Sequence, residues 1–302
     1  MLHHLASLVF NTCIRLQFEI YRFWISLHRF IFQQSNATSS NNNIVIIGDL
    51  FGFGLGDSFF TCESAGIGYS LYYQIQIEQS IRTQWNIFNY SSCKSTTNNW
   101  LPVTDTAVKP SLFERNKGNI YNSSIVLVFM GTQDVLEAFE KDEPLMPQTA
   151  LSRNIEGAVY PPEEISSIVS NTLKICTELQ SMKKHVIVID LPTEGLPFGR
   201  GKMKRVNQQL KQVIIEQNSK ISSDGYHEIQ LVSLGNNHRI MRPAEKEDTH
   251  CRFNSLYLNR KGYALLSQFI FQNLKDVIVN VEWMKWKGLF HGHSKEKVEA
   301  SE

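Results

Sequence analysis

The chain has 302 residues, 42% hydrophobic and 20% charged, which suffices for one large α/β domain with extensions. A formal net charge of +1 leaves no electrostatic footprint for nucleic acid. Five scattered cysteines (Cys13, Cys62, Cys93, Cys176 and Cys251) include no Cys-x-x-Cys pair, which argues against a disulfide framework or zinc knuckle and for buried free thiols.

Residues 2–33 are rich in apolar side chains but carry Arg15, Glu19, Arg22 and Arg29, too many charges for a membrane span. His4, Asn11, Arg15, Glu19, Arg22, Ser26, Arg29 and Gln33 recur at helical spacing. They predict an amphipathic helix with one narrow polar stripe and a wide face of Leu, Phe, Ile and Trp. Three readings compete: a helix lying on a membrane surface, a targeting segment, or a helix packed on a protein partner or on its own domain. A polar Ser/Asn linker over residues 34–43 follows, and the domain proper runs over 44–276. Residues 277–302 are read as the end of a helix and a solvated tail.

Ile44, Val45, Ile46 and Ile47 form a β-branched run between polar Asn41–Asn43 and Gly48-Asp49, the pattern of a buried parallel strand. A glycine-spaced loop and a helix over Glu63–Thr83 come next, then a short strand at Trp85–Asn89 and a polar run to Asn99. Ile125–Met130 reads as another buried strand, ending in Gly131-Thr132-Gln133-Asp134. A Pro-bearing insertion spans Lys141–Tyr160, and a helix opens at Pro161 with Pro-Pro-Glu-Glu, where proline and carboxylates suit the first turn. Val186–Asp190 and Ile229–Leu234 are further strands, separated by a helix over Lys202–Asn218. After an irregular loop over Gly235–Cys251, a last helix runs from Asn259 to at least Lys275. Five strands alternating with helices predict a three-layer α/β/α fold with a five-stranded parallel sheet, doubly wound.

Four sequence blocks, each at a strand exit or helix entry, together resemble the SGNH or GDSL-type hydrolases, a family of esterases, lipases and acetyl-hydrolases with a flavodoxin-like sheet. The resemblance covers residues 44–275 and implies that fold, with a serine nucleophile directly after Gly-Asp at the end of the first strand. Here the residue after Gly48-Asp49 is Leu50. Leucine has neither a nucleophile nor a proton to give.

The second block of the resemblance, a pattern like Asn-x-Gly-x-x-Gly-x-Thr-x-x-x-Trp-Leu, has its frame held by Asn89, Thr96, Thr97, Trp100 and Leu101 but has Ser91 and Lys94 at the glycine positions. The third, Gly-x-Asn-Asp, reads Gly131-Thr132-Gln133-Asp134, with a longer amide where an oxyanion donor is implied. The fourth, Asp-x-x-His ahead of Gly-Tyr, keeps Gly262-Tyr263 but has Asn254 and Tyr257 at the acid and base positions. Tyrosine, with a pKa near 10, is a poor base at neutral pH, and asparagine carries no charge to stabilise an imidazolium.

The resemblance therefore implies a pseudoenzyme with a residual pocket of Asp49, Leu50, Lys94, Gln133, Asn254 and Tyr257, fit at most for a small acyl or ester ligand. The rival reading is an active serine esterase through the GDSL-like Gly56-Asp57-Ser58-Phe59, with Asp248 and His250 completing a displaced triad. A second rival is a membrane-tethered structural subunit. Cys93 beside Lys94, and Cys251, are thiols near these blocks whose bland reading is packing. Neither a metal site nor a cofactor is expected from any spacing.

Overall fold

The computed structural model describes residues 42–53, 67–92, 94–102, 110–142, 162–193, 200–221, 227–234, 258 and 260–299. Five strands form one all-parallel sheet: β1 (Asn43–Gly48), β2 (Asn86–Asn89), β3 (Ile125–Phe129), β4 (His185–Ile189) and β5 (Gln230–Val232). Their spatial order is β2-β1-β3-β4-β5. In register, Ile44 faces both Ile87 and Ile125, and Ile125 faces His185.

Among the described residues, the helices are α1 (Leu50–Phe53), α2 (Ile67–Ile77), α3 (Leu112–Tyr121), α4 (Thr132–Asp142), α5 (Pro162–Ser181), α6 (Arg200–Asn218) and α7 (Arg260–Glu299), plus a 3-10 turn at Thr97–Trp100. Alternation along the strands splits the core into two layers. Ile44, Ile46, Ile125, Leu127, Phe129, Ile187 and Ile189 pack under α2 and α7. Val45, Ile47, Val126, Val128, Val186 and Val188 pack against α3 to α6 and Trp100. Both faces of the sheet are covered, which is why the inner strands β1, β3 and β4 carry unbroken apolar runs of four or five residues.

The three-layer architecture and the five parallel strands follow the sequence reading; several element limits do not. The helix expected over Glu63–Thr83 stops at Ile77, because residues 78–83 turn away. The Glu78 carboxylate accepts from the Ser80 N–H and hydroxyl, while Glu282 of α7 accepts from the Arg82 and Thr83 N–H groups. Helix α3 was not foreseen: it buries Phe113 and Ile120, and the Ser111 hydroxyl caps it by accepting from the Glu114 N–H at 3.2 Å. The final helix runs to Glu299, through residues expected to be a solvated tail.

Candidate functional site

Between β1 and β3, where the strand order reverses, the chain leaves the sheet through Gly48-Asp49-Leu50. Gly48 has φ +154°, and a Cβ there would sit 2.0 Å from the Phe129 carbonyl oxygen. Only glycine fits this close crossing without strain. The Gly48 carbonyl oxygen accepts three hydrogen bonds from the second block: Ser92 N–H at 2.9 Å, Ser95 Oγ at 2.9 Å and Trp100 Nε1 at 3.1 Å.

Asp49 is 1% exposed. Its Oδ2 accepts from the Thr132 and Gln133 N–H groups at 2.7 and 3.1 Å, and its Oδ1 from the Phe51 N–H at 3.0 Å. The carboxyl thus joins the starts of α1 and α4, where helix ends offer unsatisfied donors and positive potential. Burial nevertheless pushes its pKa up to about 7, against those backbone bonds and with help from the Asp134 charge. Every described polar contact of this side chain is to backbone of its own fold.

Leu50 opens α1 and is 3% exposed. Its N–H belongs to the first residue of a helix, which has no carbonyl four residues back within that helix. The carbonyls of α1 are held from outside: Asn89 Nδ2 donates to the Gly52 oxygen at 2.8 Å, and the Tyr263 hydroxyl to the Phe51 oxygen at 3.2 Å. Gly52 packs so closely that a Cβ there would lie 2.6 Å from Ser91 Oγ. Asn89, Trp100 and Tyr263 are therefore bracing groups for the Gly48–Phe53 turn.

Gln133 lies at the start of α4, half-buried, and its amide Nε2 donates to Glu137 Oε1 at 3.2 Å one turn along the same helix. Lys94 is exposed. Asp49, Leu50 and Gln133 are thus brought to one sheet edge, but Asp49 and Leu50 are buried in it. Asn254 and Tyr257, the rival set Ser58, Asp248 and His250, and the thiols Cys93 and Cys251 lie outside the described residues. Cys176 is buried in α5, which pushes its thiol up to about 12, the behaviour of an inert packing group.

Two features escaped the sequence reading. Asp134 accepts from the Thr97 N–H at 2.9 Å and its hydroxyl at 2.6 Å, tying the second block to the third. Burial holds the Asp134 carboxyl above its usual range, against the Thr97 bonds. Asn171 of α5 extends this tie, donating to Thr97 Oγ1 and Asn98 Oδ1. Beside them opens a cleft of about 390 Å³ lined by Thr96, Asn98, Asp134, Glu137, Glu164 and Lys202, among others. Lys202 is buried and paired with Glu164. The Pro-Pro-Glu-Glu motif was the available signal, since the carboxylates that start α5 also face this cleft.

Asp190 at the β4 exit likewise accepts from Ser233 Oγ at 2.7 Å and the Leu234 N–H at 2.6 Å, holding the end of β5. Burial raises its pKa to about 6, against those bonds.

Neither a family model nor a curated protein matches this sequence. Solved structures do match in fold. The psychrotrophic esterase EstA from Pseudoalteromonas sp. aligns at TM-score 0.50 and 15% identity, covering 78% of this chain and 98% of that one. A GDSL-like lipase from Bacteroides thetaiotaomicron aligns at TM-score 0.47 and 11% identity, covering 84% and 99%. An acetylxylan esterase from Geobacillus stearothermophilus aligns at TM-score 0.47 and 15% identity, covering 77% and 94%. With its strand order, its all-parallel sheet and the crossing at Gly48-Asp49, this chain has an SGNH/GDSL hydrolase-type fold.

Proposed function

We propose that this protein is a catalytically inactive member of the SGNH-type hydrolase fold, acting as a binding or scaffold protein rather than an esterase. Leu50 carries this reading: the position after Gly48-Asp49 holds a buried leucine that opens a helix braced by Asn89 and Tyr263. A hydrocarbon there neither attacks an ester nor is activated by any base. Two further groups support it: Asp49 is committed to three backbone donors, and the Gln133 amide is engaged by Glu137. What supports a retained site is the kept frame around the Gly48–Phe53 turn, and a small acyl or ester ligand held there without turnover is one of the two inactive roles.

A fluorophosphonate probe and a short-chain ester assay on the full chain test this. The expected outcome is neither labelling nor hydrolysis above buffer. Labelling that disappears in Ser58→Ala would identify Ser58 as an activated nucleophile, favour the rival reading with Asp248 and His250, and overturn the proposal. In parallel, thermal-shift titration with short-chain esters and acetylated sugars separates the two inactive roles. A saturable shift indicates a retained ligand site, and uniform silence a scaffold.

A further inference from the structure

Two Asn-x-Ser triplets fall within the described residues, Asn89-Tyr90-Ser91 and Asn122-Ser123-Ser124, each with a middle residue other than proline. Such a triplet is the acceptor signal for an N-linked oligosaccharide. Chance produces many of them, so the fold must say which asparagine has room for a bulky, hydrated glycan.

Asn89 has none. It ends β2 and is 3% exposed. Its Nδ2 donates to the Gly52 oxygen at 2.8 Å, and its Oδ1 accepts from the Ser91 N–H at 3.0 Å. A sugar on that nitrogen would occupy the space where α1 packs and crowd out the bond that braces the Gly48–Phe53 turn. Glycosylation there and this fold exclude each other.

Asn122 differs in each respect. It is the C-cap of α3 (φ −81°, ψ 5°), where the chain turns toward β3, and it is exposed. Its hydrogen bonds are made by its backbone: the N–H donates to the Gly118 oxygen at 3.1 Å, and the carbonyl accepts from Asn43 Nδ2 at 3.0 Å. The side-chain amide has no partner among the described residues, so extending it from Nδ2 breaks nothing. Beside it in the chain, Tyr121 is 69% exposed, more than any other large apolar side chain among the described residues. Its ring offers an apolar surface to the C–H face of a sugar. The rest of the triplet is anchored inward. The Ser123 hydroxyl donates to the Ile120 oxygen at 2.7 Å, and Ser124 Oγ accepts from Lys285 of α7 at 3.4 Å. Lys285 also donates to Asn42 Oδ1, so α7, the entry to β1 and the approach to β3 meet at the amino edge of the sheet. Leu50 lies at the opposite edge, and a glycan on Asn122 leaves it uncovered.

We infer that Asn122 is an N-glycosylation site, accepting an oligosaccharide from a polyprenyl-diphosphate carrier. The bond formed joins Asn122 Nδ2 to the anomeric carbon of the first sugar. The bond broken is that carbon's link to the diphosphate, which leaves with its lipid, while one amide proton passes to a base of the transferase. Nothing is oxidised or reduced. The acceptor must then face a glycosylating lumen, and the apolar, arginine-bearing segment 2–33, with targeting among its readings, is the sequence feature that serves such entry.

The full chain, expressed with its own N-terminus in secreting eukaryotic cells, tests this. The expected result is a retarded band on gels that an amide-cleaving glycosidase collapses, with Asn122 converted to Asp in peptide mass spectra. Asn122→Gln and Ser124→Ala should each abolish that conversion, whereas Ser124→Thr, which keeps the hydroxyl, should preserve it. Urea melts of the variants should match that of the deglycosylated wild type, since neither side chain makes a strong bond in the fold. An Asn122 left unmodified in the wild type overturns the inference, as does a glycan found only on Asn36 of Asn36-Ala37-Thr38. A glycan on Asn89 of the folded protein overturns the burial argument on which the choice of acceptor rests.

Discussion

Asp49 places a carboxylate where almost no water reaches, and three backbone N–H groups stand in for the lost hydration. Desolvation outweighs them, which is why its pKa sits near 7 rather than in the usual carboxylate range. Removing the acceptor leaves the donors of Phe51, Thr132 and Gln133 buried and unanswered. Asp49→Ala is therefore expected to cost about 2–4 kcal/mol, the range for orphaning several buried donors. Urea unfolding measures it, and a loss under about 0.5 kcal/mol, the scale of ordinary surface changes, would deny Asp49 its bracing role. The same reasoning explains how Gly48, Asp49, Asn89 and Tyr263 can persist beside Leu50. Each serves the turn itself, whatever the chemistry beside it.

At the scale of elements, α7 does more than cover one face of the sheet. Burial works against a charge on Glu282, yet the bonds from Thr83, Trp85 and Arg82 together hold its carboxyl below the usual range. These bonds reach across about 200 residues of sequence and fix the descent from α2 into β2. Glu282→Gln keeps the shape but removes the charge-assisted bonds, with an expected cost of about 1–2 kcal/mol. Hydrogen exchange should show faster loss of protection at the Arg82 and Thr83 amides than elsewhere. Unchanged exchange there would contradict the anchoring role. This tie also explains why the helix predicted to Thr83 ends at Ile77: periodicity reports local pattern, and the break is imposed from α7. Helix α3 was illegible for a related reason, since Leu112–Tyr121 is mostly polar and is held by a cap and two buried residues, Phe113 and Ile120.

For the whole molecule, buried titratable groups pull stability in opposite directions. Asp49 and Asp190 have pKa values above those of an unfolded chain, so their contribution weakens as pH rises from about 4 toward 7. His185, at the start of β4, stacks on His227 with ring centroids 3.5 Å apart. Burial, and then the His227 charge, depress its pKa from 6.5 to about 4; burial lowers that of His227 as well. An unfolded chain would bind protons first, so the histidine contribution is complete above about 6.5 and is lost as pH falls toward 4. His185→Phe keeps a stacked ring without a titrating one. Its unfolding free energy should fall less between pH 7 and pH 4.5 than that of the wild type. An identical pH slope in urea melts at the two values would refute the assignment.

The sequence alone determined the architecture, because a sheet covered on both faces writes itself as apolar runs, and Gly-Asp at a strand exit marks where the chain turns. It also carried the resemblance that sets Leu50, Gln133, Asn254 and Tyr257 at the catalytic positions it implies, an expectation legible from residue chemistry without coordinates. Tertiary structure decided what the surviving motif residues do. Asp49 receives donors from α4, Asp134 receives Thr97, and Glu282 receives Thr83, all partners distant in sequence and joined only by the winding of the sheet. It decided, too, that α7 and the entry to β1 share one edge. Hydrophobic periodicity is a local property of the chain. Which polar groups satisfy one another when water is removed is settled by the fold.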